Sequence, residues 1–209
     1  MSPEIIITFI MISTLLCFSP GPDNILILSQ SAINGRKVGV YITLGLCIGL
    51  LIHTLLVFFG ISALIKASPI AIEIIRLFGA SYLTYLAWGA FNTKSESLPN
   101  LKSEVIKANK LIQKGAIMNL SNPKVIIFFL AFLPQFTSTY EGALSVSLQF
   151  LYLGLIFTIV AFTSFSLIAY LSGFLSAVIS TKPSIQTILN KISSVVFLAL
   201  AINLLISNF

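Results

Sequence analysis

Long apolar runs separated by short polar stretches dominate the chain. Each run is close to the roughly 20 residues that a helix needs to cross the hydrocarbon core of a bilayer. The pattern predicts six membrane-spanning helices, at approximately 4–33, 38–65, 70–91, 115–136, within 143–170, and 184–206. We therefore expect an all-α integral membrane protein with one transmembrane domain over residues 1–209.

The first apolar run is interrupted at 19–24, where Pro20 and Pro22 lie in the middle of an otherwise apolar sequence. A proline has no backbone N–H, so it cannot donate the helical hydrogen bond to the carbonyl four residues earlier. The carbonyls of Leu16 and Phe18 should therefore lack their helical partners. Inside a membrane such polar groups must be satisfied by other parts of the protein or by a ligand.

A second break is predicted in the fourth run, at Asn122, Pro123 and Lys124. Asparagine is a favoured N-cap and proline suits the first position of a helix, so a new helix segment should begin here. Lys124 then places a cation at the positive end of that segment, and a lysine at the centre of a membrane span costs about 2.5–3.5 kcal/mol. A compensating anion is expected, either Asp23 or the carboxylate of a substrate.

The two halves of the chain resemble each other, because each opens with a broken span. The pseudo-repeats cover 1–92 and 115–209, with a polar loop at 92–114 between them. Three spans per half require the second half to insert upside down. The predicted fold is two inverted three-helix repeats, with helices one and four broken near the midplane, where many secondary transporters bind substrate.

The distribution of charge predicts the orientation of the chain. Charged residues make up only 9% of the sequence, against about 25% in soluble domains, and the net charge is +6. Lysine and arginine concentrate in the first, third and fifth connections, which places loop 92–114 in the cytoplasm and both termini outside. The positive charge is explained by topology, so the bilayer and not nucleic acid is the expected partner.

The predicted site lies where the two breaks meet, and it suits a zwitterion whose ammonium faces Asp23 and whose carboxylate faces Lys124. A permanent ion pair between these two residues is the alternative. For His53, the alternatives are proton coupling and a neutral hydrogen bond between helices. The candidate residues are Asp23, Asn24, Asn119, Asn122 and Lys124 for substrate binding, Asp23 and His53 for proton coupling, and Pro20, Gly21, Pro22 and Pro123 as helix breaks.

Several motifs, in order along the chain, resemble those of the LysE-type (RhtB-like) amino-acid exporters. They are Ser-Pro-Gly-Pro-Asp at 19–23, Asn-Gly-Arg-Lys-Val-Gly at 34–39, the stretch 77–88, Asn-Leu-Ser-Asn-Pro-Lys at 119–124, and Phe-Phe-Leu-Ala-Phe-Leu-Pro-Gln-Phe at 128–136. The resemblance implies export of an amino acid, or a close derivative, from the bacterial cytoplasm across the inner membrane in exchange for protons. Related branches of the family move metal cations.

Other functions have less support in the sequence. A metal-cation exporter would need several soft or carboxylate ligands, and away from their ends the spans offer only Cys17, Cys47, His53 and Asp23. An intramembrane enzyme would need a nucleophile and base, paired carboxylates or a metal motif. We therefore expect no enzyme activity, no cofactor and no resident metal, and a homodimer is left open. Gly45 is expected to mediate close helix packing together with Gly49.

Overall fold

The computed structural model describes residues 1–61, 69–93, 107–138, 143–181 and 183–206. Throughout these ranges the regular secondary structure is helical and no strand occurs. Most of the predicted cytoplasmic loop 92–114 lies outside the described residues. The helices are α1 (Pro3–Phe18), α2 (Pro22–Asn34), α3 (Arg36–Leu56), α4 (Pro69–Asn92), α5 (Ala108–Leu120), α6 (Pro123–Ile127), α7 (Val146–Thr181) and α8 (Pro183–Ile206).

Two of these helices continue in a different helical form. A π-helical segment, Val57–Ile61, extends α3. The short α6 is followed by a π-helical segment, Phe128–Phe132, and then by a 3₁₀ turn, Leu133–Phe136. Such departures from regular α-helix occur frequently at functional sites, and the second one directly follows a predicted break.

Three helices are long and apolar enough to cross a membrane, at 36–60, 146–176 and 186–206. The count rises to five if each of two bent helix pairs is taken as one span. The prediction of a multi-span helical protein is thus confirmed, although α4, at the predicted third span, is not among these five. Large apolar side chains such as Phe78 and Trp88 are exposed on the outside of the molecule, as expected for a surface that faces lipid.

Both predicted breaks are present as sharp bends. The axes of α1 and α2 meet at 59°, with Pro22 as the first residue of α2. The axes of α5 and the segment Pro123–Phe136 meet at 53°. The side chain of Asn122 accepts a hydrogen bond from the backbone N–H of Lys124 at 3.0 Å, which is the predicted N-cap.

Helices α3 and α5 cross with their backbones in direct contact. A Cβ atom added to Gly45 would overlap the carbonyl oxygen of Ile112, and one added to Gly115 would overlap the carbonyl oxygen of Ile42. One turn further along α3, Gly49 leaves room for the side chain of Asn119. The predicted packing role of Gly45 and Gly49 is confirmed, and it places Asn119 against the first half of the chain.

A cluster of phenylalanines holds the second break against α1 and α7. Phe128 stacks on Phe157 with ring centroids 4.8 Å apart, and it lies 6.0 Å from Phe9. Phe9 also makes an edge contact with Phe136 at 5.0 Å. Each aromatic pair contributes about 0.5–1.5 kcal/mol beyond the area it buries, so the segment after Lys124 is firmly positioned.

Candidate functional site

The two helix breaks contact each other through Asp23 and Asn122. The amide nitrogen of Asn122 donates a hydrogen bond to the Asp23 carboxylate at 2.8 Å, and both side chains are buried. The carbonyl oxygen of the same amide caps α6 at the backbone N–H of Lys124. Since one end of the Asn122 side chain binds each break, this residue fixes the position of the carboxylate relative to the second helix pair.

Lys124 is buried and its ammonium group is bonded to backbone carbonyls. Its Nζ atom donates to the carbonyl of Leu16 at 3.4 Å and to that of Ser19 at 3.3 Å. The Leu16 carbonyl is one of the two that the prolines were expected to free, whereas the second acceptor is Ser19 and not Phe18. Within the described ranges the ion pair found is Arg76–Glu73, so Lys124 forms no salt bridge with Asp23 in this structure.

Asn24 satisfies the end of α1. Its amide nitrogen donates to the carbonyl of Cys17 at 2.9 Å and to that of Ser19 at 3.1 Å. The last carbonyls of a helix have no intrahelical donors, and here a side chain in the first turn of the next helix supplies them. The structure therefore gives Asn24 a capping contact, and its place in the substrate site stays a prediction.

A small cavity lies between the two breaks. Its volume is about 10 Å³, which is about the space of one water molecule. Three predicted site residues, Asp23, Asn119 and Lys124, line it, while Asn24, Asn122 and His53 do not. Its remaining lining residues are mainly apolar: Leu16, Cys17, Leu50, Val125, Phe157 and Phe165. Leu16 was expected to offer a freed carbonyl and Cys17 was weighed as a metal ligand, whereas the other four were not identified from the sequence.

Asn119 presents an unsatisfied amide to this cavity. The residue is fully buried, and neither its side-chain nitrogen nor its side-chain oxygen has a hydrogen-bond partner. Leaving a buried polar group unpaired costs about 1–3 kcal/mol. The Asn119 amide is held in place by the close contact with Gly49 at the helix crossing. Its nitrogen can donate and its oxygen can accept a hydrogen bond, so it is available to bind a polar ligand.

His53 lies beside the cavity without lining it. Its Nε2 atom is 3.4 Å from the backbone carbonyl of Asn119, and its ring is 5.5 Å from that of Phe129. A carbonyl accepts hydrogen bonds, so Nε2 carries the proton in this contact. The contact links α3 to α5, as the hydrogen-bonding alternative for this residue requires, and the proton-coupling role stays a prediction.

The cysteines are both buried and unpaired with each other. Cys17 lines the cavity, and the Sγ atom of Cys47 is 3.9 Å from the carbonyl of Thr158. In the part of the chain that the structure describes, no group of three His, Cys, Asp or Glu residues is arranged to hold a metal ion.

Buried charges at breaks within apolar helices are typical of membrane transport proteins, because an intramembrane charge is costly without a functional role. The chain belongs to the LysE type translocator family, whose model matches residues 14–208. This membership indicates a transporter, not an enzyme.

Curated relatives are similar to the chain over nearly its whole length. A protein of Salmonella typhimurium named "Leucine efflux protein" is 28% identical over 198 residues, covering 94% of this chain and 92% of the relative. A protein of the same name from Klebsiella pneumoniae is 25% identical over 201 residues, covering 95% and 93% respectively. No solved structure matches the chain significantly.

Proposed function

We propose that the chain exports a neutral amino acid with an apolar side chain, leucine or a close relative of it, across the bacterial cytoplasmic membrane. One observation carries this proposal. Asp23 and Lys124 are buried charges of opposite sign that line one cavity without forming an ion pair. Family membership and the names of the relatives support transport of an amino acid.

The chemistry of the cavity matches a zwitterion. The substrate ammonium would face Asp23, and its carboxylate would face Lys124 and the free amide of Asn119. Burying a charge without a partner is strongly unfavourable, so a ligand that supplies both opposite charges gains affinity from both ends of the site. This argument selects amino acids over simple cations or simple anions.

The apolar wall of the cavity supports a hydrocarbon side chain. Leu50, Phe157 and Phe165 line it, and Asp23 is the only acidic residue among the lining residues. A basic side chain would need a second carboxylate, because Asp23 is taken up by the α-ammonium group. An apolar side chain gains about 25 cal/mol for each Å² that it buries.

The cavity is too small for an amino acid, so binding requires movement. A site for a small organic ligand encloses roughly 300–1,000 Å³, far more than the 10 Å³ found here. We propose that the two bent helix pairs separate to admit substrate. The similar bends of 59° and 53° support six spans in two inverted repeats as the underlying architecture.

The position of the site supports alternating access. Asp23 lies in the first turn of the 13-residue helix α2, about 16 Å from the Asn34 end at 1.5 Å per residue. This distance is about half the thickness of the hydrocarbon core. For orientation, we propose that loop 92–114 is cytoplasmic and both termini are outside; reporter fusions at Phe209 and within the loop test this topology.

Proton antiport is the proposed source of energy, with Asp23 as the group that carries the proton. Its carboxylate contacts Asn122 and lines the substrate cavity, so proton binding and ammonium binding would compete for one group. His53, buried nearby, is the second candidate. A homodimer stays a prediction.

Transport by purified protein in liposomes tests the proposal. We expect leucine to be moved by the wild-type chain and transport to fall roughly tenfold or more in Asp23→Asn and in Lys124→Met, as for a buried charge left unpaired. Glu4→Gln and Lys114→Gln, which change exposed residues of the same charge, are the matched controls. Normal transport by both Asp23→Asn and Lys124→Met would overturn the assigned site.

A further inference from the structure

Lys124 is the one basic side chain that is buried in the described part of the chain, apart from the imidazole of His53. Its two acceptors are neutral carbonyls at 3.3 and 3.4 Å, whereas charge-assisted hydrogen bonds are usually about 2.7–2.9 Å long. The ammonium group is thus held by loose contacts, although a carboxylate lines the same cavity. A cation held in this way can be displaced by a ligand that offers the lysine ammonium group a better partner.

The carbonyls that hold Lys124 result from the first break. The N–H group that would bond the Leu16 carbonyl in a continuous helix belongs to position 20, which is a proline. Gly21 provides the space, because a Cβ atom there would lie 3.1 Å from the Nζ atom of Lys124. The end of α1 is therefore shaped to accept an ammonium group.

We infer that the carbonyls of Leu16 and Ser19, together with the Asp23 carboxylate that lines the same cavity, form a binding site for a primary ammonium group, and that Lys124 occupies the two carbonyls until the substrate displaces it. A primary ammonium has three N–H donors, and this site offers three acceptors. The α-ammonium of an amino acid is the same chemical group as the tip of lysine. The α-ammonium of the amino acid binds at the site when the carboxylate of the same molecule attracts Lys124 away from the two carbonyls.

This inference rests on the proposed function only in naming an amino acid as the displacing molecule. It explains why Lys124 and Asp23 do not pair: the lysine stands in for substrate at the carbonyls, and its release provides the cation that binds the substrate carboxylate. Unloaded protein is thereby kept closed, since Lys124 of the second helix pair is bonded to the end of α1.

Binding of simple amines to purified full-length protein tests the site without transport. In Lys124→Ala, n-butylammonium should raise the apparent melting temperature, and above the dissociation constant the rise should grow with the logarithm of the amine concentration. At ten times the dissociation constant, the ratio of folded to unfolded protein should rise about tenfold. Tetramethylammonium has no N–H donor and should give no such shift. The wild-type chain and Lys114→Ala, a change at an exposed lysine, should respond to neither cation.

Equal shifts in wild type and Lys124→Ala, or equal shifts with both cations, would overturn the inference. If Lys124→Ala does not fold alone, Lys124→Met keeps most of the side-chain volume, and n-butylammonium during preparation should restore folded protein. Failure of the amine to restore either variant counts against the site. If Lys124→Ala shows no amine response while the wild-type chain exports leucine, this site is rejected and the proposed function stands. If Lys124→Ala binds the amine while the wild-type chain moves no amino acid, the site stands and the proposed function is rejected.

Discussion

The amide nitrogen of Asn122 and the carboxylate of Asp23 are joined by a 2.8 Å hydrogen bond across 99 positions of sequence. This bond is a direct polar link between the two helix breaks, and the oxygen of the same Asn122 amide caps α6. A change at Asn122 therefore acts on the start of α6 and on the acid of the site together.

Replacing Asn122 separates these two contributions. Asn122→Ala should destabilise the protein by about 1 kcal/mol for the lost cap and a further 1–3 kcal/mol for the unsatisfied carboxylate. Asn122→Asp keeps the cap acceptor but sets a second buried carboxylate against Asp23, so it should lose at least as much stability as Asn122→Ala although its cap is intact, and it should transport less. Chemical unfolding in detergent and leucine transport in liposomes measure the two effects.

The control for this pair is Asn109→Ala, which changes an exposed asparagine at the start of α5. It should stay within about 0.5 kcal/mol of wild type. A stability loss in Asn109→Ala as large as that in Asn122→Ala would show that the bond to Asp23 has no special importance.

Proton coupling should depend on Asp23 and survive a change at His53. Asp23→Asn removes the titratable group, so residual leucine movement should no longer respond to an imposed pH gradient. His53→Gln retains an N–H donor for the carbonyl of Asn119 and should stay coupled. Parallel uptake assays with and without the gradient measure this. If Asp23→Asn still responds to the pH gradient, or if only His53→Gln loses that response, proton coupling would be assigned to His53.

The apolar wall should control which side chain is accepted. Leu50→Ala enlarges the cavity and should shift the ratio of leucine to phenylalanine transport toward phenylalanine about tenfold, the scale expected for changes in an apolar pocket. Leu46→Ala is the matched control, because Leu46 is equally buried on α3 but does not line the cavity. Both variants should lose about 2–5 kcal/mol of stability, and only Leu50→Ala should change the ratio. A similar ratio in both would argue against this wall as the side-chain pocket.

The helix crossing should tolerate no added atom. In Gly45→Ala the new Cβ overlaps backbone of α5, and overpacking of this kind typically costs about 1–3 kcal/mol. Gly89→Ala places its Cβ in open space on α4, where alanine should be neutral or stabilising by about 0.5–1 kcal/mol. Melting curves of the two purified variants make the comparison, and equal stability would contradict the close contact.

The sequence contains enough to place the breaks but not to assign their partners. Proline removes a hydrogen bond wherever the fold puts it, so the bends at Pro22 and Pro123 could be predicted from local chemistry alone. The four-carbon stem of Lys124 can reach either the carboxylate or the end of α1, and that choice depends on the packing of distant helices. The capping contacts of Asn24 could not be predicted for a related reason, because the carbonyls it binds become accessible only in the bend.

The cavity wall was missed for a different reason. In the sequence of a membrane span, an apolar residue that faces lipid cannot be distinguished from one that faces the protein core or a ligand. Phe157 and Phe165 recur with Ala161 along one buried stripe of α7, which indicates an inward face but not a cavity. Glycine positions indicate helix contacts more clearly than apolar positions do. Gly45 and Gly49 lie one turn apart on α3, and both are at the contact with α5.

The backbone contact of Gly45 with α5 has a mechanical consequence. Two helices that touch through their main chains have no side chains between them that could slide or compress. They are therefore expected to rotate relative to each other about the contact point. Leu50 lies five residues along α3, about 7 Å beyond this pivot. Small rotations would then move the cavity wall little and the far helix ends much more, which would open a path to one side while the site itself keeps its shape.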